Sequence, residues 1–181
     1  MQHRFTRVLA FAILAAGLLG AANGARAASC AEALLSNPTL TRFAAVVQQA
    51  GLAPQLTSST LTVFAPTNNA LIGISSITQM LGGQSANSAP DFPKLQILVR
   101  AHLVQGLHPE NDMHGKVTLS TLAGTSLAID GTGQRAITLS ASASSGVNLS
   151  GTHTMSDVHV AGPVIKCDNG IIYPIDNALV Q

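Results

Sequence analysis

His108, Glu110, Asp112 and His114 recur at every second position of the chain. On an extended segment that spacing points all four side chains to one side. Imidazole together with carboxylate is a donor set that zinc or copper accepts. Pro109 interrupts the segment, and the spacing is not that of a recognised site, so a mixed polar loop explains the same residues more simply. His102 stands among apolar neighbours and reads as a hydrogen-bonded core histidine. Residues 131–136 (GTGQRA) match G-x-G-x-x-A, but a dinucleotide site needs a helix after the glycines to face the pyrophosphate. Ile137, Thr138 and Leu139 follow instead and read as a strand, so Asp130 and Gly131 read as a hairpin turn. Residues 124–128 (GTSLA) approach the elbow of a serine hydrolase around Ser126, without its last glycine or its strand-turn-helix setting. Glu32 and Glu110 are the only glutamates, and the sequence places no pair of carboxylates for acid-base work. Tryptophan is absent and Tyr173 is the sole tyrosine. Stacking platforms for sugars are therefore scarce, while weak multivalent contact with polysaccharide remains compatible.

The bulk numbers point away from whole classes of function. Of 181 residues, 9% are charged, and the formal net charge is +1. Such a chain has no basic field for nucleic acid or an anionic membrane. Its surface must be built largely from Ser, Thr, Asn, Gln and Gly. The first residues read as an export signal. His3, Arg4 and Arg7 precede an apolar run over 8–20, and Ala25-Arg26-Ala27 fits the A-x-A cleavage pattern. The rival reading is a membrane anchor, but a spanning helix needs about 20 apolar residues, and Asn23 and Gly24 interrupt this run. A signal peptide over 1–27 leaves one domain, 28–181, with a formal charge of −2 and no membrane span. A domain of that length can bury a respectable core.

Two cysteines remain, Cys30 and Cys167. In an oxidising compartment a single disulfide is the natural reading. The rivals are a lipidated Cys30, against which Ala27 stands where such signals carry Leu, and two free buried thiols.

Periodicity supplies the elements that must position these groups. Apolar residues at helical spacing over 31–50, broken at Pro38, predict two helices, the second ended by Gly51. Residues 61–64 predict a strand, stopped by Pro66. Thr67 is placed to cap a helix over 68–73, with another short helix over 74–81 and a loop over 82–90 (GGQSANSAP). Residues 91–104 predict a helix. From Val117 onward short β-branched runs alternate with Gly, Asp and Ser clusters, which predicts strands near 118–119, 126–130, 136–139, 146–149, 153–160 and 170–175. Asn169-Gly170 is a strong turn signal. Ile171, Tyr173 and Ile175 alternate as in a half-covered strand. Helices first and strands second indicate α+β rather than alternating βαβ.

Three segments fall in order along the mature chain: LTVFAPTNNA (61–70), LVRAHLVQG (98–106) and NGIIYPIDNALV (169–180). Together they resemble the fasciclin-like domain, with weaker agreement at STLAGTSLAID (120–130) and MSDV (155–158). The sequence departs from the family pattern at Ala101, where a Tyr precedes the histidine, at Tyr173-Pro174 in the closing strand, and in a lengthened Ser-rich stretch within 137–149. The resemblance implies a β-sandwich or wedge of short strands flanked by several α-helices. It implies structural roles for Phe64, Pro66, Thr67, Asn68, His102, Asn169, Gly170 and Asp176. It also implies an adhesion or matrix-interaction module, secreted to the cell exterior or periplasm, with no cofactor and no catalysis. The partner would be a cell-surface or matrix protein or a polysaccharide. His108, Asp112, Asp157 and His159 are the candidate contact residues. The alternatives are a periplasmic small-ligand or metal binder and a hydrolase of surface polymers.

Overall fold

The computed structural model describes residues 27–72, 91–132, 138–142 and 158–179. The leader through residue 26, the segments 74–81, 82–90 and 146–149, and Asp157 lie outside them. Four α-helices are described: α1 (Cys30–Ser36), α2 (Thr41–Gln49), α3 (Ala53–Ser58) and α4 (Phe92–Ala101). Strands β1 (Leu61–Pro66), β2 (Leu103–Gln105), β3 (Lys116–Ser120), β4 (Ser126–Asp130), β5 (Thr138–Ser142), β6 (Val158–His159), β7 (Ile165–Lys166) and β8 (Gly170–Ile175) form two sheets. Their orders are β2-β1-β8-β7 and β3-β4-β5-β6. This is an α+β arrangement.

Local chemistry starts α1 and α4. Ser29 and Glu32 make a reciprocal capping box on α1, and Asp91 accepts from the Lys94 amide to cap α4. The residue before α2 is Leu40, which offers no side-chain cap. Asn68, from the turn after β1, supplies it instead: its Oδ1 accepts from the Arg42 amide at 2.9 Å, and its Nδ2 donates to the Pro38 carbonyl at 2.8 Å.

The period-two alternation of β1 and β8 sorts their side chains into two cores. Leu61, Val63 and Ala65 of β1, with Ile172 of β8, join the apolar faces of the helices, including Leu34, Phe43, Val47, Leu56, Leu95 and Val99. Phe64, Tyr173 and Ile175 join Leu127, Ile129, Leu139 and Val158 of the second sheet. The first sheet is therefore a middle layer between helices and the second sheet. Fully burying one such large aliphatic side chain stabilises by about 1.5–3 kcal/mol, so both clusters matter to the fold.

Three local expectations are corrected. The helix expected over 91–104 ends at Ala101, because Leu103 pairs with Val63 and the chain becomes β2. The helix expected from Asn68 is a pair of turns, closed by Leu71 N–H to the Thr67 carbonyl and Ile72 N–H to the Asn69 carbonyl. The closing strand is not half-covered: residues 172–175 are all buried. The cause is its parallel pairing with β1, Val63 opposite Ile172 and Phe64 opposite Tyr173. Parallel strands need both faces covered.

Candidate binding surface

Three polar hubs hold the ends of the middle sheet. Asn169 accepts from the Cys30 amide at 3.0 Å and donates to the Leu56 and Ser59 carbonyls at 2.8 Å each. It joins the turn before β8 to the start of α1 and the end of α3. Gly170 lies directly against Leu61 and the disulfide. A Cβ there would strike the Leu61 carbonyl oxygen and sit 2.7 Å from Cys30 Sγ. Cys30 and Cys167 are bonded, with Cα atoms 5.1 Å apart. The free-thiol reading of these cysteines does not hold in the structure. The second hub is Asn68, described above. Beside it the Thr67 hydroxyl accepts from the Ala70 amide and the Thr67 amide donates to the Ile175 carbonyl.

The third hub is His102, which is fully buried. Its Nε2 lies 2.9 Å from the Leu179 amide and its Nδ1 lies 2.8 Å from the Leu98 carbonyl. A backbone N–H can only donate, so Nε2 accepts and the proton resides on Nδ1. Burial pushes the imidazole down to about 4, while the bond to Leu98 pulls it back only in part. His102 is thus a neutral strut between α4 and the C-terminal residues, with the Phe43 ring 5.4 Å from its own.

The exposed candidates lie on two stretches. Residues 106–115 cross from the first sheet to the second. The segment is anchored by the Thr62 hydroxyl, which donates to the Gly106 carbonyl at 2.8 Å and accepts from the His108 amide at 2.9 Å. Tyr173 Oη donates to the His108 carbonyl at 2.8 Å. Burial, with the charges of Glu110 and Asp112 nearby, raises the Tyr173 phenol above its ordinary range. The His108 ring turns back 3.2 Å from the Gln105 carbonyl. Glu110–Met113 is a 3-10 turn, closed by the Asp112 amide on the Pro109 carbonyl. The alternation of His108, Glu110, Asp112 and His114 is therefore not extended and does not present one row. Among the described residues no three His, Cys, Asp or Glu side chains are grouped to hold a metal.

On the second stretch His159 meets Asp176. The His159 amide donates to Asp176 Oδ1 at 2.8 Å, and its Nδ1 lies 3.3 Å from Oδ2, both side chains being nearly half exposed. The Asp176 amide returns a bond to the His159 carbonyl. This exchange joins the edge of the second sheet to the end of β8. Asp157, the remaining contact candidate, is outside the described residues. Ser126 opens β4 opposite Ser120, after a turn and before a strand, so the strand-turn-helix setting of a hydrolase elbow is absent there. Residues 138–142 after the glycine run are likewise a strand.

Sequence reasoning passed over the outer face of the second sheet. The register sets Lys116 beside Asp130, Asp130 beside Thr138, and Thr138 beside His159. Thr118, Ala128 and Ser140 form the next row. The signal was present as hydroxyl residues alternating with Val117, Leu119, Leu127, Ile129 and Leu139. Hydrogen bonds from the Thr132 hydroxyl and amide, with Lys116 alongside, hold the Asp130 carboxyl below its ordinary range.

A sequence model of the fasciclin domain matches residues 38–181, most of the chain. The chain belongs to the fasciclin domain family. Among solved structures, it is similar to a FAS1 domain pair from the insect cell adhesion molecule Fasciclin I, at 19% identity and a TM-score of 0.58. The match covers 87% of this chain and 52% of that one. This fasciclin domain therefore spans about half the length of that structure, and the likeness speaks to fold alone. No curated protein matches the sequence. The family match begins at residue 38, after α1 and Cys30, so the capped, disulfide-tied first helix stands ahead of the matched region.

Proposed function

We propose that this fasciclin domain is a secreted adhesion or matrix-interaction module, holding a cell-surface or matrix protein or polysaccharide by surface complementarity and without turnover. The observation that carries the reading is family membership across residues 38–181, in a family whose modules typically serve cell adhesion. The use of the polar groups supports it. The buried polar side chains Ser29, Thr62, His102 and Thr121 bond to backbone or near neighbours, as struts of the scaffold. The A-x-A leader and the disulfide fit export to the exterior or periplasm. His108, Asp112, Asp157 and His159 are the proposed contacts; His108 and Asp112 belong to the crossing loop, and His159 stands beside Asp176 at the end of β8.

The test is capture of partners from the native envelope by the secreted domain, with His159→Ala and Asp157→Ala beside the wild type. The exposed pair of His159 with Asp176 contributes little to stability. Loss of capture with an unchanged melting temperature is the expected result. Unchanged capture by either variant removes that residue from the contact set, and a wild-type domain retained by no native surface refutes the adhesion reading.

A further inference from the structure

The outer face of the second sheet is exposed at Lys116, Thr118, Ser120 and Ser140, partly exposed between them, and mostly hydroxyl-bearing. Directly paired residues in antiparallel strands project to the same side. Since Val117, Leu127, Ile129, Leu139 and Val158 face the core, Lys116, Thr118, Ser120, Ser126, Ala128, Asp130, Thr138, Ser140 and His159 face outward. Six of these nine carry a Ser or Thr hydroxyl or an imidazole. Lys116 and Asp130 stand side by side and offset each other's charge. We propose that this face is a platform for an extended neutral polysaccharide lying across the strands. The proposal rests on the adhesion reading above and names its partner class.

Three observations favour a neutral glycan over a protein. First, protein interfaces depend on a few large apolar anchors seated in pockets. The exposed large apolar residues among those described, Leu35, Ile72, Phe92, Ile97 and Leu107, all lie outside this sheet. Second, strands about 4.8 Å apart with about 3.4 Å per residue give four short strands a face of roughly 250 Å², against about 800 Å² per partner in a standard protein interface. A narrow linear polymer needs no more. Third, the row Lys116, Asp130, Thr138, His159 sets polar groups at one strand spacing, close to the length of a pyranose unit in an extended chain, with Asp130 already oriented by Thr132 and His159 by Asp176. The paired opposite charges present no net field to a polyanion. With Tyr173 buried in the core, no tyrosine ring stacks on the sugar. The platform is therefore a weak site that holds the sugar by hydrogen bonds rather than by stacking.

The experiment uses the full secreted chain with three insoluble neutral glucans, cellulose, a β-1,3-glucan and starch, in sedimentation assays. The double variant Thr118→Arg/Ser140→Arg projects two long cations from the middle row. Both residues are exposed, so its unfolding midpoint stays at the wild-type value. At least about a tenfold fall in retention is expected, equivalent to about 1.4 kcal/mol of lost contact. Soluble oligomers of the retained glucan should shift amide resonances of β3, β4 and β5. Equal retention of wild type and variant, shifts confined to other elements, or retention on none of the three glucans overturns the proposal. Native envelope stripped with protease should still hold the wild type. If stripping abolishes capture, the partner is a protein, and the glycan platform falls while adhesion stands. If untreated envelope also fails to hold the wild type, adhesion itself falls.

Discussion

Acid should unfold this domain through His102, and the size of the effect follows from its surroundings. The ring is neutral in the folded state, held near 4 by burial, and in the unfolded chain it regains an ordinary value near 6.5. Below about 6.5 the unfolded chain takes up a proton that the native state refuses, so stability falls as pH falls. The loss is absent above about pH 7, reaches about 2 kcal/mol at pH 5, and approaches about 3 kcal/mol below pH 4. The structural reason is direct: protonated Nε2 would aim a second N–H at the Leu179 amide 2.9 Å away. The assay is denaturant unfolding at several pH values for the wild type and His102→Gln. A glutamine side chain can still hydrogen-bond but does not titrate, so the variant is less stable at pH 7 and lacks this pH dependence. The wild type should lose about 2 kcal/mol more than the variant between pH 7 and 5. Parallel pH profiles, or a His102 imidazole resonance titrating near 6.5 in the folded protein, would refute the reasoning.

Three further outcomes follow from the hubs. Asn169→Ala removes three hydrogen bonds at once and should cost about 2–4 kcal/mol in chemical unfolding, whereas the exposed Asn69, in the turn after β1, should tolerate alanine. Gly170→Ala should destabilise although its backbone is not left-handed, because the added methyl meets the Leu61 carbonyl and the disulfide; thiol titration of the purified variant should reveal unpaired Cys30 and Cys167. Reducing the disulfide, which closes a separation of 137 residues, should lower stability by up to about 5 kcal/mol, read as a shift in the denaturation midpoint with and without reductant.

Much of the architecture was legible in the chain because it is written in local rules. Hydrophobic spacing marked α1 and α2 with the break at Pro38, the strand signal at residues 61–64 lay within β1, and the runs at 126–130 and 170–175 coincide with β4 and β8. The ordered motifs around Phe64, His102 and Asn169 pointed to the family that the match over residues 38–181 establishes. The surface was less legible. The even spacing of His108, Glu110, Asp112 and His114 suggested one row, but a single 3-10 turn after Pro109 dispersed it.

Composition and periodicity, then, determined a nearly uncharged α+β domain with one cysteine pair, since apolar spacing and turn residues act over a few positions. The parallel union of β1 with β8, the capping of α2 by Asn68, the proton on His102 Nδ1 and the meeting of His159 with Asp176 belong to tertiary structure. Each joins groups 17 or more residues apart. Contact at that separation is set by how layers stack and strands register, which no local pattern encodes.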